Sequence, residues 1–341
     1  CVLPAGVGQA PARQAALAAG LPLHAGCTTI SKVCGSGMKA TMLAHDLLLA
    51  GSQQVVVAGG MESMSNAPYL LPKARAGQRL GHGQMLDHMF FDGLEDRYGA
   101  ATNGRLMGSF AEDCARQFEF SRQAQDAFAT TSTLRAQQAI RDGAFEWEIT
   151  PVAVPSKGGE RQVALDEAPG KVQLDKIASL KPAFAKDGSV TPANSSSISD
   201  GAAALVLMRA STARARGLAP LALLRGHATH AQQPALFTTA PVGAVRKLLD
   251  GVGWQVGDVD LWEINEAFAV VTMAAMQELA LPHERVNVHG GACALGHPIG
   301  ATGARILVTL LAALRQRGLQ RGVASLCIGG GEATAMAIER I

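Results

Sequence analysis

The chain has 341 residues, 48% of them apolar, and its 30 basic and 28 acidic side chains leave a formal charge of +2. That length suits about two domains with a sizeable core, and so even a balance offers no broad electrostatic footprint for nucleic acid or an anionic membrane. Charged residues make up only 17%, which excludes disorder and coiled coil, and no apolar run approaches the ~20 residues a membrane span needs.

In chain order, the first pattern is a short apolar strand into Cys34, a helix over 35–50 with Met38, Met42, Leu43 and Leu47 on one face, and a strand over 54–58 that stops at Gly59-Gly60. Residues 64–198 are richer in polar and turn residues. They hold one clear helix over 122–142, capped by Ser121, and a polar stretch at 157–170 that reads as a surface loop. A strand over 202–208 then returns to the first pattern. After a strand at 259–264, residues 285–332 repeat the opening plan. Their order is strand 285–288, glycine-rich loop, helix 299–318, strand 323–328 and a second glycine cluster before a Glu. Two related α/β halves follow from this, with 64–198 inserted in the first.

Four clusters carry candidate chemistry. Cys34 lies where a strand meets a helix, so unpaired first-turn amides and the helix dipole are expected to lower its pKa below the ~8.5 of a free thiol. A structural cysteine in a Gly-rich turn explains Cys34 about as well. His297 sits on the glycine-rich loop 290–303, placed to be a base or a packed loop residue. Cys327 ends an apolar strand, where lone cysteines are usually core. Asn265-Glu266 follows a strand and would serve equally as a helix cap. Nine histidines give no HExxH spacing, and the His227-Ala228-Thr229-His230 pair is too weak for a metal site. The six cysteines form no CxxC pair, and no basic segment leads into an apolar one at the start, so a reduced, cytoplasmic protein is expected.

Taken together, VCGSGMKA around Cys34, GGMESMSNAPY from Gly59, NEAFA from Asn265, NVHGGACALGHPIGATGAR from Asn287 and LCIGGGE from Leu326 resemble the thiolases, specifically acetyl-CoA acetyltransferases. The likeness runs through essentially the whole chain. Ketoacyl synthases carry a second histidine where this chain has Asn265 and lack a cysteine at the position of Cys327. The resemblance implies a five-layer α/β fold of two αβαβα halves, at 1–63 with 199–217 and at 218–341, and an α/β loop domain at 64–198. It implies reversible Claisen condensation of two acetyl-CoA to acetoacetyl-CoA and CoA, or thiolysis of 3-ketoacyl-CoA, with no metal or other cofactor.

In that scheme Cys34 takes the acyl group as a thioester and His297 activates it. Cys327 moves the α-proton. Asn265 holds a water that, with His297, stabilises the enolate, and the amides of Cys34 and Gly329 receive the tetrahedral intermediates. Phe184 and Ser196 would contact coenzyme A, Met107, Ala267 and Phe268 would line the pantetheine tunnel, and Phe237 would flank the acyl pocket. Residues 64–88 would pair dimers into a homotetramer. Two departures stand out: Leu106 where biosynthetic relatives carry His, and His289 where Asn is common. Thiolases also begin with a strand and helix before the point where Cys1 enters, so a central strand of the first sheet is expected to be absent. A non-catalytic acyl binder, inactivated by that loss, is the rival expectation.

Overall fold

The computed structural model describes residues 1–341. Helices α1 (Pro11–Ala18) and α2 (Ser36–Ala50) precede strand β1 (Val55–Ser63). Next come the short strands β2 (Tyr69–Leu70) and β3 (Leu86–Asp87), then helices α3 (Met107–Gln117) and α4 (Arg122–Arg141). The hairpin β4 (Val152–Ser156) and β5 (Gly159–Val163) and the single turn α5 (Ala168–Lys171) complete this segment. Strand β6 (Asp200–Met208) and helix α6 (Ala210–Ala215) lead to β7 (Ala222–Ala231), α7 (Ala240–Val252), β8 (Leu261–Ile264) and α8 (Ala269–Leu279). The chain ends with α9 (Ala292–Leu295), α10 (Ile299–Gln316), β9 (Arg321–Ile328) and β10 (Glu332–Arg340).

Strands β1 and β6 pair antiparallel, from Val55 opposite Met208 to Ser63 opposite Asp200. Everything between them therefore leaves and re-enters at one end of the same sheet. The second sheet runs β7-β10-β9-β8, with only β8 and β9 parallel. Helices α2 and α10 lie side by side between the two sheets, and α7 covers the far face of the second. Trp262, Val245 and Leu248 fill the α7 side of that sheet, while Met38, Met42, Ile306 and Leu310 fill the α10 side. Four of the five expected layers are built by these elements. No helix packs closely across the outer face of β1–β6, where Val57 and Val206 are exposed.

Small residues set how closely the middle layer packs. A Cβ on Gly37 would lie 2.8 Å from the Ala304 nitrogen, one on Gly303 2.5 Å from the Met38 nitrogen, and one on Gly60 2.1 Å from the Gly300 oxygen. Only glycine lets these backbones meet. The same requirement explains why β1 continues through Gly59 and Gly60 to Ser63 rather than stopping there: these glycines are contact points inside the strand.

Three other elements differ from expectation. Residues leading into Cys34 form no ladder beyond a single Lys32–Cys34 bridge. The expected strand at 285–288 is a 3-10 turn (His283–Arg285) and one bridge between Val286 and Trp262. There the Asn287 side chain replaces ladder bonds, accepting from the Ile264 amide at 2.9 Å and donating to the Ile264 oxygen at 2.8 Å. The surface loop expected at 157–170 begins instead inside the β4–β5 hairpin. Strand β4 is exposed along its whole length, so no buried face imprinted an alternating apolar pattern.

Candidate active site

Cys34 stands immediately before α2 and His297 immediately before the Pro298 that leads into α10. The glycine-lined crossing of those helices brings their N-termini together. Cys327 lies near the end of β9, and Asn265 directly follows β8, the parallel neighbour of β9. A Cβ on Gly35 would approach Ile328 to 2.4 Å, so the end of β9 rests on the start of α2. Strand ends and helix starts thus converge on one point, as ligand sites in α/β sheets do.

The thiol of Cys34 is pushed up to about 11, not down. Burial is the chief cause, and the Glu62 carboxylate adds to it; hydrogen bonds from the amides of Gly329 and of Cys34 itself only partly oppose it. The expected lowering fails because burial outweighs these two amide hydrogen bonds. Amides alone cannot offset the loss of water around a thiolate. Both of those amides point toward the sulfur.

His297 is buried, and its Nδ1 lies 2.6 Å from Thr302 Oγ1. The Thr302 hydroxyl donates to the Pro298 oxygen at 3.0 Å, so toward the imidazole it acts as acceptor. The ring proton therefore sits on Nδ1, and Nε2 carries the free lone pair. Burial, with Arg305 contributing, lowers the His297 pKa to about 3 and keeps the ring neutral. Asn265 Nδ2 lies 3.5 Å from both ring nitrogens, while its Oδ1 is buried with no hydrogen-bond partner. Cys327 is buried in a cluster with Phe110, Phe237, Ala267 and Phe268. Burial and then the nearby Cys34 sulfur hold its pKa well above the usual thiol value.

The expected binding residues form one strip beside this centre. Met107 Sδ would lie 3.8 Å from a Cβ on Gly329. Phe184 lies against Gly108 and meets Phe268 edge to face, with centroids 6.0 Å apart. Ser196 donates from both its amide and its hydroxyl to the Ala267 oxygen, each at 3.0 Å. Phe237 is buried edge-on against Phe110 at 6.1 Å. Leu106 is the extended residue immediately before α3. His289 is a core residue packed edge-on against Phe145, lowered to about 4 by burial and by Arg317 and Arg135.

Two supports were not legible beforehand. Thr302 fixes the imidazole tautomer; its only sequence signal was its place in the loop motif. Glu266, expected as a helix cap, is a buried anchor for the glycine-rich loop 290–303. It accepts from Ser132 Oγ at 2.7 Å, Asn287 Nδ2 at 2.8 Å and the Cys293 amide at 3.1 Å. Ser132 in turn accepts from the Gly291 amide at 2.9 Å. Ser132 belongs to α4, so the inserted segment directly braces the loop that carries His297.

Residues 1–211 match the thiolase N-terminal domain and residues 218–340 the thiolase C-terminal domain. The chain is 51% identical to acetyl-CoA acetyltransferase 1 of Arabidopsis thaliana, covering 99% of this chain and 81% of that protein. It is 48% identical to acetyl-CoA acetyltransferase of Pseudomonas aeruginosa, covering 99% and 86%. Among solved structures, the Bacillus anthracis acetyl-CoA acetyltransferase superposes with a TM-score of 0.94 at 43% identity, over 98% of this chain and 84% of the other. A thiolase from Ascaris suum in complex with coenzyme A superposes with a TM-score of 0.92 at 42% identity, over 100% and 86%.

Proposed function

Because the chain belongs to the thiolase family, we propose that it is an acetyl-CoA C-acetyltransferase, joining two acetyl-CoA into acetoacetyl-CoA and CoA and catalysing the reverse thiolysis. The proximity of the Cys34 and Cys327 thiols, at the crossing of α2 with the helix whose start carries the neutral imidazole of His297, supports this proposal. A non-catalytic binder has no use for such a set.

The first half-reaction starts from neutral partners. With Cys34 near 11 and His297 near 3, a resting thiolate–imidazolium pair is disfavoured, so the thiol proton passes to His297 Nε2 as sulfur attacks the acetyl carbonyl. The Gly329 and Cys34 amides stabilise the oxyanion. The tetrahedral intermediate collapses to acetyl-Cys34, and the CoA thiolate leaves with the proton from His297. In the second half Cys327, once its own thiol proton has passed to solvent, takes an α-proton from another acetyl-CoA while His297 and Asn265 stabilise the enolate oxygen. The carbanion attacks acetyl-Cys34, forms the new carbon–carbon bond and releases the Cys34 sulfur, which takes up the proton held by Cys327. These steps call on no metal or prosthetic group. The strip from Met107 to Phe268 is the proposed coenzyme A path; that the similar Ascaris protein is seen in complex with coenzyme A supports coenzyme A binding. We extend the proposal to a cytoplasmic homotetramer paired through residues 64–88, to be checked by light scattering.

Mass spectrometry of a quenched reaction with acetyl-CoA should find one acetyl group, on the Cys34 peptide. Cys327→Ser should keep that adduct yet lose most condensation and thiolysis. An adduct confined to Cys327 or Cys293 would overturn the assignment.

A further inference from the structure

Away from the catalytic centre, His45 and Asp46 of α2 meet His227 of β7 across 181 residues of sequence. One ligand atom from each lies within 4.8 Å of the others. His227 Nε2 is 2.8 Å from Asp46 Oδ1, and His45 Nδ1 is 3.8 Å from the same oxygen. The imidazole rings meet edge to face with centroids 5.3 Å apart. Both histidine side chains are 17% exposed, whereas Asp46 is 52% exposed. The cluster is therefore walled on the protein side and open on the other.

His45 Nδ1 is the telling atom, because it is buried and has no hydrogen-bond partner. Buried imidazole nitrogens normally find one. A hydrogen-bonded His227–Asp46 pair would account for two of the three groups and leave this one stranded. An ion accounts for all three. With zinc–nitrogen and zinc–oxygen bonds of about 2.0–2.2 Å, tetrahedral ligand atoms stand roughly 3.3–3.5 Å apart. The observed 2.8 and 3.8 Å separations straddle that range.

We propose that His45, Asp46 and His227 form a binding site for one divalent transition-metal ion of the zinc class, with water completing the shell on the exposed side. Two imidazoles and a carboxylate suit zinc, cobalt or nickel better than calcium or magnesium. Such an ion would clamp α2, whose start follows Cys34, to β7 at the edge of the second sheet. Its role is structural, since none of the three residues belongs to the catalytic set.

The test uses the full chain with accessible thiols, Cys34 included, blocked by iodoacetamide, so that active-site sulfur cannot bind the probe. Zn2+ is titrated calorimetrically, and Co2+ is followed by its visible absorption. One equivalent should bind, and a hundredfold excess over Kd should raise Tm on the order of 3–6 °C. His45→Gln, His227→Gln and the half-exposed Asp46→Asn should each weaken binding at least about tenfold. The unblocked variants should keep acetyl transfer. No saturable binding up to millimolar Zn2+, or binding unchanged in His227→Gln and Asp46→Asn, would overturn the proposal. Asp46→Asn alters a half-exposed group and keeps the test decisive even if a histidine variant misfolds.

Discussion

A half-buried thiol and a buried imidazole stand at the candidate active site. Burial raises Cys34 to about 11, so its alkylation by iodoacetamide, which borrows no substrate-bound geometry, should quicken about tenfold per pH unit from 7 to 10. Rate against pH measures this directly, and a plateau near pH 8 would show that the helix dipole prevails after all. Thr302 makes the second prediction. Thr302→Val removes the acceptor that holds the His297 proton on Nδ1, and the wrong tautomer cannot take the thiol proton. kcat should fall about 10–100-fold with KM little changed, and Thr302→Ser should restore it. An equal loss in the serine variant would point to packing instead.

At the level of elements, the proposed pairing of Cys34 with His297 depends on how closely α2 and α10 cross. A methyl at position 303 would sit 2.5 Å from the Met38 backbone nitrogen, which cannot turn aside as a side chain would. Gly303→Ala should therefore cost about 1–3 kcal/mol in chemical denaturation. It should also lower kcat, because spreading the helices separates Cys34 from His297. An alanine variant with unchanged stability and rate would mean that the crossing has slack. The motif around Gly303 was evident from the residues alone, but the partner that makes glycine necessary there was not, since it lies on the other helix.

Across the whole molecule, a band of acids is buried with incomplete compensation. Burial raises Glu263 to about 8 and Glu148 to about 7, with Arg305 opposing both, and Arg305 Nη1 is itself buried without a partner. Between its usual 4.5 and about 8, Glu263 keeps a proton in the folded chain that the unfolded chain has released. Its contribution is full below 4.5 and lost as pH rises through 8. His297 and His289 act oppositely: their contribution is full above 6.5 and lost as pH falls through about 4 and 3. Tm should therefore peak near pH ~6. Glu263→Gln should lessen the fall between pH 6 and 9 by at least about 2 °C, as calorimetry across that range would show. An identical fall in the variant would place the alkaline loss elsewhere.

Local chemistry was readable because it is written locally. Helix 36–50 has its glycine ends within one stretch, although of its expected apolar face only Met38 and Met42 are buried while Leu43 and Leu47 lie exposed, and the cysteine, histidine and asparagine motifs each fit inside a short loop whose backbone demands small residues. Family, fold and the identity of the candidate catalytic residues followed from those stretches. What depended on contacts between distant segments did not. Helix-start geometry alone predicted a depressed Cys34, whereas the surrounding burial raised it. Asn287 completing the edge of β8, Glu266 joining α4 to the catalytic loop, and His45 meeting His227 each rest on partners more than 20 residues apart. Side-chain hydrogen bonding and desolvation act through space, and only the folded chain determines which groups share that space.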